Sequence, residues 1–226
     1  MGTPISNQPY LGNTGSITTS RYQRDPRRGT QLSSITIHRI EGDQLPEYAR
    51  ISIAFMVESV FAVDVVDGGL GGIGLREDKV AQYAKDADSY DEGGPEAWHR
   101  EFDISEWGLF VAVCEGRWVG GAAVAVDAPG VSVVHGRGDV AVLWDLRVQP
   151  EHRRNGVGTR LFEHAAAWAR DNGYKQLRIE TQNVNVPACR FYMARGCELG
   201  VIDRFFYEGH PNVGHEVMLA WHLNLS

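Results

Sequence analysis

Cysteine is scarce in this 226-residue chain. Cys114, Cys189 and Cys197 are an odd number without C-x-x-C spacing, which argues against a disulfide framework or a cysteine zinc site. Long apolar runs are missing too. Nothing approaches the ~20 residues of a membrane span, and the first residues carry no apolar signal core. A reducing, cytoplasmic setting without a membrane partner is therefore expected. The eight histidines are scattered without H-E-x-x-H or similar ligand spacing, so no metal is expected. Positive charge is in deficit: 22 Lys and Arg stand against 29 Asp and Glu, a formal net charge of −7. That balance argues against a nucleic-acid binder held by phosphate neutralisation. The imbalance is local, with twelve acids against four bases between Asp64 and Glu106. Such a stretch is either solvated surface or a negative rim that attracts a cationic amine.

The apolar and charged fractions that remain are those of a globular domain long enough to bury a core. Residues 1–33 are polar and lack apolar periodicity, so they read as a loose leader preceding a domain over residues 34–226. Ser34–Ile40 alternates as a first strand. Asp43 then stands where it would cap a helix from about Leu45 to Phe61, with Pro46 tolerated in the first turn and Glu58 near its end. Gly69–Gly74 matches G-x-G-x-x-G ahead of a possible helix over Leu75–Ala87. A dinucleotide fingerprint also needs a following strand with a ribose-binding acid about 20 residues on. Asp91 has the distance but sits in a polar run, so a loop beside the substrate cleft is the preferred reading. Trp107–Cys114 and Arg117–Val126 read as a hairpin across Glu115–Gly116, and Arg137–Gly138–Asp139 as a turn. Glu198–Phe206 and His215–Leu223 read as closing strands.

The chain is organised around Val140–Tyr192. Val140–Val148 is apolar and β-branched and is stopped by Pro150. Arg153, Arg154, Asn155, Gly156, Val157, Gly158 and Thr159 then lead into a helix that aligns Leu161, Ala165 and Trp168 and ends at Gly173. The first N–H groups of a helix lack internal partners, and its dipole adds positive charge there. With two glycines and two arginines at the turn, an anion such as pyrophosphate is the fitting occupant. Two solvated arginines on an ordinary turn is the competing account.

Arg153-x-x-Gly156-x-Gly158 after this strand resembles the acetyl-CoA motif of the GCN5-related N-acetyltransferase (GNAT) superfamily. Asn185, Ala188 and Tyr192 reproduce that family's N-x-x-A-x-x-x-Y pattern on the next helix. Glu180–Gln182, Ala188–Cys189 and Phe191–Tyr192 further resemble the streptothricin acetyltransferases within it. The resemblance spans roughly Trp107 to Ser226. It implies an α/β fold whose mixed, mostly antiparallel central sheet is flanked by helices and splayed between the family's strands four and five. The cofactor-binding core would lie at about residues 107–206. Acetyl-CoA would be the co-substrate, its pantetheine pairing with the backbone of Leu146, Arg147 and Val148 and its pyrophosphate lying on Arg153–Thr159. An N–H near Leu146 would polarise the thioester carbonyl, an effect worth about 2–4 kcal/mol in comparable enzymes.

Tyr192 matches the family position that protonates the leaving thiolate, and Asn185 is either a cofactor contact or a helix cap. Asp145 and Glu180 are both candidate bases for the acceptor ammonium. A buried structural hydrogen bond is the competing role for Asp145, and pairing with Arg178 or another cation for Glu180. The resemblance implies N-acetylation of a small cationic amine, with a streptothricin-type antibiotic leading. Acetylation of a protein or peptide amine, or acetyl-CoA binding without turnover, are the alternatives. A homodimer is left open.

Overall fold

The computed structural model describes residues 35–89, 94–126 and 137–226. The leader expected over residues 1–33 lies outside them. Among the described residues, nine strands and four helices succeed one another along the chain. They are β1 Thr36–Arg39, α1 Leu45–Tyr48, β2 Phe55–Val66, β3 Gly72–Lys85, α2 Trp98–Glu101, β4 Gly108–Cys114 and β5 Arg117–Ala125. Then come β6 Val140–Val148, α3 Val157–Asp171, β7 Gln176–Gln182, α4 Val186–Met193, β8 Glu198–Asp203 and β9 Met218–Asn224. Seven strands form one sheet in the order β1-β4-β5-β6-β7-β9-β8, and β2 pairs with β3 in a separate ribbon.

The sheet is antiparallel except between β6 and β7. That parallel pairing covers only Val140–Leu143 against Gln176–Ile179. Past Leu143 the two strands part, which is the splay implied by the resemblance. A bulge accompanies the parting. The β5–β6 register passes from Ala123↔Asp145 to Val124↔Leu143, leaving Trp144 as the extra residue.

Helix α3 forms where its apolar stripe requires. Leu161, Phe162, Ala165 and Ala169 are buried against Phe110, Leu143 and Ile179 of the sheet. Gly156 precedes it at φ 81° and Gly173 ends it at φ 88°, both in the left-handed region that glycine enters without strain. On the opposite face Tyr48, Trp98, Trp107 and Val142 form a second apolar cluster. Gly121 lets it close, because a Cβ there would overlap the Tyr48 ring.

Two expected helices are absent. Only Leu45–Tyr48 is helical in the segment that Asp43 was expected to cap as far as Phe61, and Phe55–Val66 is a strand. Five valines between Val57 and Val66 favour the extended chain. The cap differs as well. Gln44 Oε1 accepts the Glu41 N–H at 3.1 Å within a reciprocal Glu41/Gln44 capping box, and Asp43 lies inside the short turn. Leu75 to Lys85 is likewise strand rather than helix, paired along its length with β2. Gly69–Gly74 therefore belongs to a hairpin turn and the start of β3, which removes the strand-to-helix setting a dinucleotide needs. Glu58 is exposed on this ribbon and accepts from Gln82 Nε2 at 2.8 Å.

Candidate active site

The splay opens into a cavity of about 1080 Å³. It runs between β6 and β7 and is lined by Arg154, Gly156, Gly158 and Thr159 at the start of α3, by Glu180 and Gln182 on β7, and by Tyr192 on α4. Each placement has a local structural cause. Glu180 and Gln182 alternate with buried Ile179 and Thr181, so the strand turns its apolar side chains to the core and these two to the cleft. Asn185 caps α4 by accepting the Ala188 N–H at 3.2 Å, which fixes the helix that carries Tyr192.

Tyr192 is 7 % exposed, packed against Phe162 and Phe191. Burial, reinforced by nearby Asp145, holds its phenol far above the usual tyrosine range, so it stays protonated at any physiological pH. Among the described residues no group hydrogen-bonds its hydroxyl. Glu180 has a different environment. Burial pushes its carboxyl up, while the Tyr207 hydroxyl and Arg178 draw it part of the way back. Tyr207 donates to Oε1 at 2.6 Å, and Oε2 has no hydrogen-bond partner among the described residues. A carboxylate with one open oxygen and a pKa raised by burial is a readier proton acceptor than a solvated glutamate.

Asp145 is not so equipped. Its Oδ1 accepts from Tyr48 at 2.6 Å and from Arg147 Nε at 2.9 Å, and its Oδ2 from Arg147 at 2.7 Å. Arg147 also donates to Asp88 at 2.8 and 3.0 Å and to the Ile51 carbonyl at 3.0 Å. Desolvation opposes its charge, but these carboxylates outweigh it and the guanidinium is held firmly ionised. Asp145 also lines the cavity, but as a base it would have to give up a buried ion pair, which favours the structural role that competes with the catalytic one.

Arg153 is also engaged by the protein itself. Its Nε donates to the Val148 carbonyl at 2.8 Å and its Nη2 to the Ala54 carbonyl at 2.7 Å. The side chain ties the end of β6 to the segment before β2 while still lining the cavity. Arg154 remains exposed at φ 61° beside exposed Asn155. Sequence reasoning missed Arg195, which donates to Thr159 Oγ1, stacks over Phe191 at 4.7 Å and lines the cavity. It sits three residues past Tyr192, in the turn that follows α4, where no motif residue marks it.

The N-terminus of a 15-residue helix, left-handed backbone at Arg154 and Gly156, and Arg154 and Arg195 at one cavity fit a pyrophosphate. Leu146, Arg147 and Val148 lie on the stretch of β6 that β7 leaves unpaired, where an extended pantetheine can hydrogen-bond. Among the described residues no three His, Cys, Asp or Glu side chains cluster as a metal site, and no helix is long and apolar enough to cross a membrane. Burial pushes the Cys189 thiol up and that of Cys197 up to about 11, which removes both as ready nucleophiles.

Residues 77–197 match the model of the acetyltransferase (GNAT) family. The chain belongs to the GNAT acetyltransferase family. This acetyltransferase is 31 % identical over 171 residues to the streptothricin acetyltransferase of Streptomyces lavendulae, covering 73 % of this chain and 82 % of that one. It is 34 % identical over 82 residues to streptothricin acetyltransferase A of Bacillus subtilis, a match covering 36 % of this chain and 47 % of that protein's length. Its fold matches that of a Bacillus anthracis protein assigned to the streptothricin acetyltransferases and crystallised with acetyl coenzyme A. The TM-score is 0.65 at 23 % identity, over 85 % of this chain and 98 % of that one. The GNAT acetyltransferase is thus an N-acetyltransferase whose acetyl donor is acetyl-CoA.

Proposed function

We propose that this enzyme acetylates a primary amine of a small cationic substrate, with a streptothricin-type antibiotic as the acceptor. The observation that carries this reading is the placement of Glu180 and Tyr192. A half-buried carboxylate with a free oxygen and a protonated phenol line the same splayed cavity as the anion-fitting start of α3. The likeness to streptothricin acetyltransferases of Streptomyces lavendulae and Bacillus subtilis supports the choice of acceptor.

Acetyl-CoA supplies the activated acetyl thioester. Arg154, Arg195 and the N–H groups of Gly156–Thr159 would hold its pyrophosphate, while Leu146–Val148 align the pantetheine arm. Glu180 attracts the acceptor ammonium and takes one of its protons through Oε2, leaving a neutral nitrogen that can attack. As the new C–N bond forms and the C–S bond breaks, Tyr192 gives its phenolic proton to the sulfur; the acylated nitrogen then sheds its second proton, which restores the phenol through solvent, and Glu180 releases the first to water. Asn185 acts indirectly, by capping the helix on which Tyr192 stands.

Thiol release from acetyl-CoA, screened against streptothricin, aminoglycosides, polyamines and lysine-bearing peptides, tests the reading. Release with streptothricin and little with peptides is expected. Turnover of peptides with none of the small amines would overturn the choice of acceptor.

A further inference from the structure

Tyr207 belongs to no motif, yet it makes the one hydrogen bond found to the Glu180 carboxylate among the described residues. It stands on the loop between β8 and β9. Its hydroxyl donates to Glu180 Oε1 at 2.6 Å and accepts from Gln182 Nε2 at 3.0 Å. The order of donors matters. An amide N–H can only donate, so Gln182 occupies the phenol oxygen and directs the phenol's own proton to Glu180. Burial and the adjacent carboxylate hold that phenol well above the usual tyrosine range, so it remains a donor.

The loop is pinned well enough to act as a support. Asp203 Oδ1 accepts the Phe205 N–H at 2.9 Å at its start. His210 Nδ1 accepts the N–H groups of Asn212 and Val213 at 3.2 and 3.3 Å in its middle. Glu216 forms a buried ion pair with Lys85 of β3 at its end.

We propose that Tyr207 is the positioning residue of the base, holding Oε1 of Glu180 so that Oε2 is the oxygen that receives the amine proton. The proposal rests on the assignment of Glu180 as base and goes beyond it, because it names what aims and tunes that carboxylate. A phenol that donates to a carboxylate stabilises the ionised form and lowers the pH at which it acts. The other charged groups around the cleft leave that effect readable. Arg178 on β7 acts on Glu180 in the same sense. Glu216 acts on Tyr207 but is paired with Lys85 of β3. On β6, Asp145 and Arg147 neutralise each other.

The test is an NMR titration of side-chain-labelled glutamate in the full chain and in Tyr207→Phe, with Glu180→Gln assigning the resonance. The expected result is an upward move of the Glu180 midpoint. With it, kcat/KM on the acid side of the profile should fall about tenfold and recover at higher pH, with acetyl-CoA affinity unchanged. An unmoved midpoint would overturn the proposal, as would a uniform loss of activity at every pH. Should Tyr207→Phe fail to fold, Gln182→Leu takes its place, with a smaller move in the same direction expected. A moved midpoint together with wild-type turnover in Glu180→Gln would sink the base assignment itself, and that result is separable from a failure of the Tyr207 contact.

Discussion

Replacing Asp145 by Asn separates a structural carboxylate from a catalytic one. The Arg147 side chain is 1 % exposed and that of Asp145 is 5 % exposed, so the mutation leaves a buried guanidinium short of its innermost counter-ion. Removing one partner of a buried pair typically costs about 3–5 kcal/mol. Two features place this case toward the lower end. Asp88 keeps two hydrogen bonds to Arg147 with its side chain 29 % exposed, and the amide oxygen introduced by Asp145→Asn can still accept from Tyr48. For a chain of this size each kcal/mol shifts Tm by about 2–4 °C, so a drop of roughly 6–12 °C is expected. Thermal melts followed by circular dichroism measure it. Thiol-release kinetics well below the transition should then show kcat within several-fold of wild type and an unmoved acid limb. A Tm within about 1 °C of wild type, with kcat down roughly a hundredfold or more, would refute the reasoning and return Asp145 to the chemistry.

Tyr192→Phe should lower kcat by about two to three orders of magnitude while acetyl-CoA affinity, read by calorimetry, changes less than about threefold. Equal losses in both would mean that Tyr192 binds rather than donates. The acid limb of kcat/KM should lie above the ordinary glutamate value of ~4.3, because Glu180 works only when ionised and burial disfavours ionisation. A limb at or below that value, read from initial rates across pH, would contradict the base assignment. Gly121→Ala should destabilise by about 1–3 kcal/mol in denaturant melts, since the added methyl meets the ring of Tyr48, which bonds Asp145. An unchanged midpoint would show that the ring can shift without cost.

The segment from Val140 to Tyr192 was legible because its signals are local. Strand, turn, helix, strand and capped helix each arise from side chains within a few residues of one another, such as Gly156 before α3 and Asn185 before α4. The ribbon of β2 and β3 was not. Leu45 and Pro46 do start a helix, but it ends at Tyr48, and the conformation beyond it is decided by pairing across the turn at residues 67–71. Its valines carried the strand signal, but the helix start at Asp43 and Pro46 was extended through them. The site divides along the same line. Glu180 and Tyr192 stand in motifs. The engagement of Asp145 depends on Tyr48, 97 residues away, and that of Arg153 on Ala54, 99 residues away, so no local pattern announces either. Tyr207 approaches Glu180 only because β9 lies between β7 and β8 in the sheet, returning the preceding loop to the cleft.

The most direct test of the central claim is the rate of streptothricin acetylation by Glu180→Gln beside wild type, with acetyl-CoA binding measured on both. The account predicts a loss of about a hundredfold or more in kcat/KM with donor affinity retained. Glu180→Gln turning over streptothricin within about twofold of wild type would contradict it.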